Sequence, residues 1–309
     1  MTMDAAETMS PVNVWVARAR FVLATALLWA ALHYLVGWAL PRGLDRPLVL
    51  SSSPYGPLAG LLVIVVLGAG GAVVSFLVQP HGDRQALFIV GLALALWAAE
   101  GGRRGGTMDD WLIQCNTAVD APRGGPYWRL LADYIYLLVA VAGASVTSAW
   151  FSARGMPVPR SEPLRRAFAL DAPAEERRHG PVALLTTTVV AGVATLILMG
   201  PAVAATYRGQ VYFAVGIGLF AGVFAAQRLV KTGGLLWFWL APFVLGVFGV
   251  VLAAIRPHLM LPLDYQHLDV IPAWSLARAL PVEMVGVGLV GALWTLRGSA
   301  TEAAREAGG

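Results

Sequence analysis

Charge is what this chain is shortest of. Only 13% of its 309 residues are charged, about half the share of an ordinary soluble domain. The chain therefore cannot present a fully solvated surface, and the deficit gathers into long apolar runs. Lysine is nearly missing as well, with Lys231 the sole example among 22 basic residues. Cys115 is the single cysteine, which excludes an intrachain disulfide and any cysteine-built zinc or iron–sulfur site. Of five histidines only His33 lies inside an apolar run, so a membrane haem held between two facing histidines is excluded. There is no HExxH, and Asp109-Asp110 lacks the further aspartate of a DDxxD metal motif. The formal charge of +4 does not point to nucleic acid, because the arginines are scattered through short connections and form no patch.

What the chain does have is apolar length. Hydrophobic residues make up 58% of it, and about 20 of them in a row suffice to cross a hydrocarbon core. Eight segments qualify: Phe21–Leu40, Pro57–Val78, Ala86–Ala99, Leu130–Phe151, Pro181–Ala205, Val211–Gln227, Gly234–Ile255 and Leu280–Leu296. The expected fold is all-α, one polytopic membrane helix bundle of about eight spans over residues 1–309. Ala86–Ala99 is short, which suits a re-entrant or protein-buried helix as well as a crossing one. Residues 100–129 and 256–279 become outer loops, and 152–180 a basic cytoplasmic loop. With both termini cytoplasmic, thirteen basic residues lie inside and nine outside, the bias of a bacterial-type inner or plasma membrane protein.

Local signals add detail. The N-terminal run lacks a small-x-small cleavage site and reads as a retained helix, with Pro11 a natural first residue for an interfacial elbow. In the cytoplasmic loop, Ser161 and Asp171 can cap two short helices, the second ending at Gly180. Pro201 and Pro242 interrupt two spans and are expected to kink them. Thr186–Thr188 and Ser145, Thr147 and Ser148 are expected to glue helices together. Gly286-Val-Gly288-Leu-Val-Gly291 has the spacing of a dinucleotide fingerprint but no preceding strand, so its glycines are read as helix-packing residues. No convincing internal repeat joins the first four spans to the last four.

The candidate chemistry sits at the outer face. Asp264, His267 and Asp269, with Asp109 or Asp110 from the other outer loop, have the donor types of a zinc or manganese site able to activate water. The alternative is a polar cap, with carboxylates paired to Arg103, Arg104 and Arg123 and with Trp111, Trp128 and Trp274 at the interface. Asp133 and Glu283 sit near helix starts, where the dipole favours a carboxylate. His33 is the one deep intramembrane polar candidate, a packing histidine or a proton relay. Cys115 reads as a packed small residue rather than a nucleophile. No cofactor is implied. The expected partners are lipids, and other proteins or a second copy through Gly/Ala-rich helix faces. Function then divides three ways: a non-catalytic scaffold or accessory subunit, a permease-like subunit energised by a partner, or an outer-face metal enzyme acting on a lipid-linked substrate.

Overall fold

A backbone that enters lipid must satisfy its own N–H and C=O groups, and a helix does this within one segment. The computed structural model describes residues 11–41, 47–78, 83–100, 107–115, 125–152, 174–200, 207–230, 234–255 and 275–306. Among them every extended element is a helix. They are α1 (Pro11–Ala31), α2 (Leu58–Val78), α3 (Asp83–Ala99), α4 (Met108–Cys115), α5 (Gly125–Ser152), α6 (Ala174–Met199), α7 (Arg208–Leu229), α8 (Leu235–Ile255) and α9 (Pro281–Glu306). Helix α1 continues through a π-helical turn, Leu32–Val36. Short 3₁₀ turns precede α2 and α9.

Six of these helices are long and apolar enough to cross a membrane, and two shorter apolar ones, Gln85–Ala99 and Pro281–Leu296, lie between them. The outward faces carry Phe76, Leu185, Ile197, Leu229 and Phe248, side chains that water would not tolerate in such numbers and hydrocarbon does. The two short helices explain their own length. Helix α3 is buried at Ala86 through Val90 and again at Ala93, Leu94, Trp97 and Ala98, and it packs antiparallel on α9. Phe88 meets Trp294 with ring centroids 5.9 Å apart, and a methyl on Gly286 would stand 2.7 Å from the Ala95 nitrogen. Covered by protein over most of its surface, with Leu96 and Trp294 exposed, this pair need not match the full lipid thickness.

Two expectations change. Helix α6 runs unbroken from Ala174 through Gly180 and Pro181, so Gly180 does not end a separate helix. It is a contact glycine, with the Trp237 indole lying where a side chain would be. The same helix stops at Met199 and Gly200 adopts φ +69°, the left-handed closing residue that glycine accepts without strain. Pro201 therefore follows a finished helix instead of kinking one, whereas Pro242 does lie inside α8.

The expectation of no internal repeat is also overturned. Gly68 of α2 lies against Gly143 of α5, and 148 positions further on Gly216 of α7 lies against Gly291 of α9. Thr147 and Thr295 stand at the same spacing, in Gly143-Ala-x-x-Thr147 and Gly291-Ala-x-x-Thr295. One turn face further round, Gly70 receives Leu28 of α1 while Gly218 receives Thr195 of α6. The cross-packing repeats too. Helix α3 meets α9 antiparallel through Gly91 and Leu289, and α8 meets α5 through Gly246 and Tyr134, in the same register once shifted by 148. Two halves of four main helices are thus related by a pseudo-two-fold axis along the bundle, both running the same way.

Candidate functional site

These packings bring particular helix termini to one end of the bundle. Ser53 donates to the Ala39 carbonyl, joining the end of α1 to the start of α2. Asp133 of α5 reaches the turn at Leu50. Ala95 near the end of α3 faces Gly286 near the start of α9, and Gly249 of α8 faces Leu276. The two long connections, after α3 and after α8, consequently leave and return at the same end. The two buried carboxylates of the described residues, Asp133 and Glu283, lie there.

Asp133 is wholly buried. Its two oxygens accept from the Leu50 and Ser51 N–H groups at 2.7 and 2.8 Å. It lies two turns into α5 rather than at its tip, so the dipole of its own helix does not explain it. The carboxylate instead caps the 3₁₀ turn leading into α2, satisfying two donors that burial would otherwise orphan. Glu283 plays the dipole role expected of it and a second one. One oxygen accepts from the Leu280 N–H at 2.9 Å, which is half of a capping box. The other takes Arg208 Nε of α7 at 3.1 Å, and the Tyr212 hydroxyl approaches the same carboxylate. With only 4% of the Glu283 side chain exposed, the ion pair is a buried tie between α7 and α9. The sequence counted Arg208 as one more loop arginine. Its partner lies 75 positions away, and no local pattern announces it.

Asp110 is occupied by α4 itself. Thr107 donates to its Oδ2 through N–H at 2.5 Å and through the hydroxyl at 2.8 Å. This is a Thr-x-x-Asp capping box. Asp109 lies on the same helix, and Asp264, His267 and Asp269 lie outside the described residues. So do Arg103, Arg104, Arg123 and Trp274. Among the described residues no three His, Cys, Asp or Glu side chains group to hold a metal ion. Trp111 is buried, while Trp128 is exposed. Cys115 is half-covered, and burial pushes its thiol above the ordinary range, with Arg129 opposing the shift. A thiol that resists ionisation is a poor nucleophile.

His33 lies near the end of the first apolar helix rather than at its middle. Its Nδ1 lies 2.6 Å from Glu100 Oε1, just past the end of α3. The imidazole stacks on Trp29, centroids 5.6 Å apart, and meets the edge of Tyr34 at 4.6 Å. Both partners were visible in the sequence, one inside a run and one at the end of another. The pairing was not, because 67 residues separate them.

Further into the bundle the polar contacts join helices. Ser75 donates to Ser148 at 2.8 Å, and the Thr147 hydroxyl to the Gly68 carbonyl at 2.7 Å. The three fingerprint-spaced glycines of α9 each seat a different neighbour. Gly286 faces α3, Gly288 faces Leu219 and Pro242, and Gly291 faces Gly216. That use of small residues is helix packing in lipid, and it leaves no turn for a nucleotide phosphate.

Apolar helices with hydrocarbon-compatible outer faces and inward polar ties define a polytopic helical membrane protein. No family model, curated protein or solved structure matches the chain.

Proposed function

We propose that the protein is a non-catalytic membrane component, a scaffold or accessory subunit of a larger membrane assembly with both termini cytoplasmic. The observation that carries this reading is how the described carboxylates are used. Asp133 and Glu283, the two most deeply buried, each hold another element of the fold, and Asp110 caps α4. Groups committed to structural bonds are poorly available to substrate. Purification of the full chain in mild detergent, followed by mass spectrometry of what accompanies it, tests the reading. A stoichiometric protein partner supports it, and recovery as a lone monomer from its native membrane counts against it.

One observation favours the permease-like alternative. A parallel internal repeat about an axis along the membrane normal is an arrangement used by transport proteins. Against it, Pro242 packs on Gly288 and Gly216 on Gly291, which fills that part of the interior with backbone contacts. Water access to cysteines placed at Ala241 and Gly288 separates the two readings: modification by an aqueous reagent favours transport, and protection favours the scaffold.

A further inference from the structure

Two local features around His33 cost stability. A π-helical turn, Leu32–Val36, interrupts the regular hydrogen-bonding ladder of α1. Glu100 places a carboxylate at the C-terminal end of α3, where the helix dipole disfavours negative charge. Both irregularities converge on one contact, His33 Nδ1 to Glu100 Oε1 at 2.6 Å. Where local rules are broken together, the constraint usually comes from function.

The pseudo-repeat supplies an internal control. The position equivalent to Glu100, 148 residues on, is Phe248 in α8. Among the described residues, the second half places no histidine–carboxylate pair at this end. The two halves also differ in how they hold their first helix. Helix α6 lies backbone-close on α7, where methyls on Gly218 and Gly222 would meet the Ala191 and Thr187 carbonyls. At Gly70, helix α1 offers α2 only the Leu28 side chain, and it is the least covered of the six long helices, with 28% of its window buried. Helix α1 is therefore the loosest helix, and an ionisable contact joins its outer end to α3.

We propose that His33 and Glu100 form a proton-binding latch that docks α1 on α3. The ligand is the proton. An imidazolium attracts Glu100 as a full charge pair, with the Trp29 face behind it adding cation–π support, whereas a neutral imidazole offers only an N–H. Docking therefore tightens when the imidazole takes up a proton at low pH and loosens when it gives the proton up. Among the described residues, no other imidazole or carboxylate faces the pair. Tyr34 is a phenol. Helix α2 carries no ionisable side chain, and the remaining charges of α3, Asp83 and Arg84, lie at its opposite end. The latch stands whether or not the protein serves an assembly.

The test uses the full chain in lipid nanodiscs, with Cys115→Ser and spin labels at Leu35→Cys and Leu96→Cys, both exposed positions. Double electron–electron resonance distances are read at about pH 5.5 and about pH 8. The latch predicts a narrow distribution at the lower pH that broadens to longer distances at the higher. In His33→Phe, which keeps a ring against Trp29, and in Glu100→Gln, that pH response is lost. Identical distributions at the two pH values in the otherwise native chain overturn the proposal, as does a response that survives in both variants.

Discussion

Thr147 and Thr295 each tie a helix to its parallel neighbour, through carbonyls that lie one turn apart under the 148-residue shift. Thr147 lies 2.9 Å from the Gly143 carbonyl of its own helix and 2.7 Å from the Gly68 carbonyl of α2. Thr295 stands 3.4 Å from the Gly291 carbonyl and 3.3 Å from that of Phe220 in α7. Each hydroxyl lies one turn beyond a glycine that lets two parallel helices touch. The correspondence makes α2 with α5 and α7 with α9 equivalent pairs, and the bundle two copies of one arrangement.

The copies are not equally tight, and this sets the first prediction. A methyl at Gly143 would find the Gly68 Cα at 3.9 Å, ordinary contact, whereas one at Gly291 would collide with the Gly216 carbonyl. Gly143→Ala should leave unfolding in detergent nearly unchanged. Gly291→Ala should cost about 1–3 kcal/mol, the usual penalty of overpacking.

Arg208 and Glu283 set the second. Removing one partner leaves the other charge buried, at a cost of about 3–5 kcal/mol, while replacing both with apolar residues costs far less. Arg208→Met alone should lower the unfolding midpoint sharply, and Arg208→Met with Glu283→Met should recover most of the loss. A double variant as unstable as the single would mean that the pair contributes more than mutual neutralisation.

For Asp133 the loss is local. Asp133→Ala orphans the Leu50 and Ser51 N–H groups, at about 1–3 kcal/mol for each group left unsatisfied. Hydrogen exchange should accelerate at these two amides before it does in the middle of α5. Asp133→Asn, which keeps one acceptor oxygen, should fall between.

Cys115 should be slow. Burial raises its thiol against the smaller pull of Arg129, so the thiolate fraction near neutral pH is below that of an exposed cysteine. Maleimide labelling at pH 7 should lag behind a cysteine placed at exposed Gly209, and should accelerate as pH rises.

How much of this was legible follows from what lipid does to a sequence. The helices were, because hydrocarbon demands unbroken apolar runs and tolerates few charges. Their ends were less so. Gly180 and Pro201 looked like interruptions, yet one is a contact residue beneath Trp237 and the other follows a helix already closed by Gly200. The repeat was hidden because most positions in these helices need only be apolar. Val63 and Val211, Gly68 and Gly216, Gly70 and Gly218, and Phe76 and Phe224 match across α2 and α7, but matches among such residues carry little signal until geometry shows the glycines in the same seats. At the candidate site, Asp110, Glu283 and His33 were singled out as residues, while their partners Thr107, Arg208 and Glu100 were not paired with them. Capping is local and could have been found from Thr-x-x-Asp. Partners 67 and 75 positions away cannot be read from spacing.

The central claim is that both halves run the same way through the membrane, so that the starts of α2, α5 and α7 share one aqueous compartment. The direct measurement is labelling of single cysteines by a membrane-impermeant maleimide, in a Cys115→Ser background, at Tyr55, Trp128 and Gly209, and at Trp15 and Leu229, all exposed. The account predicts that the first three label from one side of sealed vesicles and the last two from the other. Labelling of Trp128→Cys from the side opposite Tyr55→Cys would contradict it.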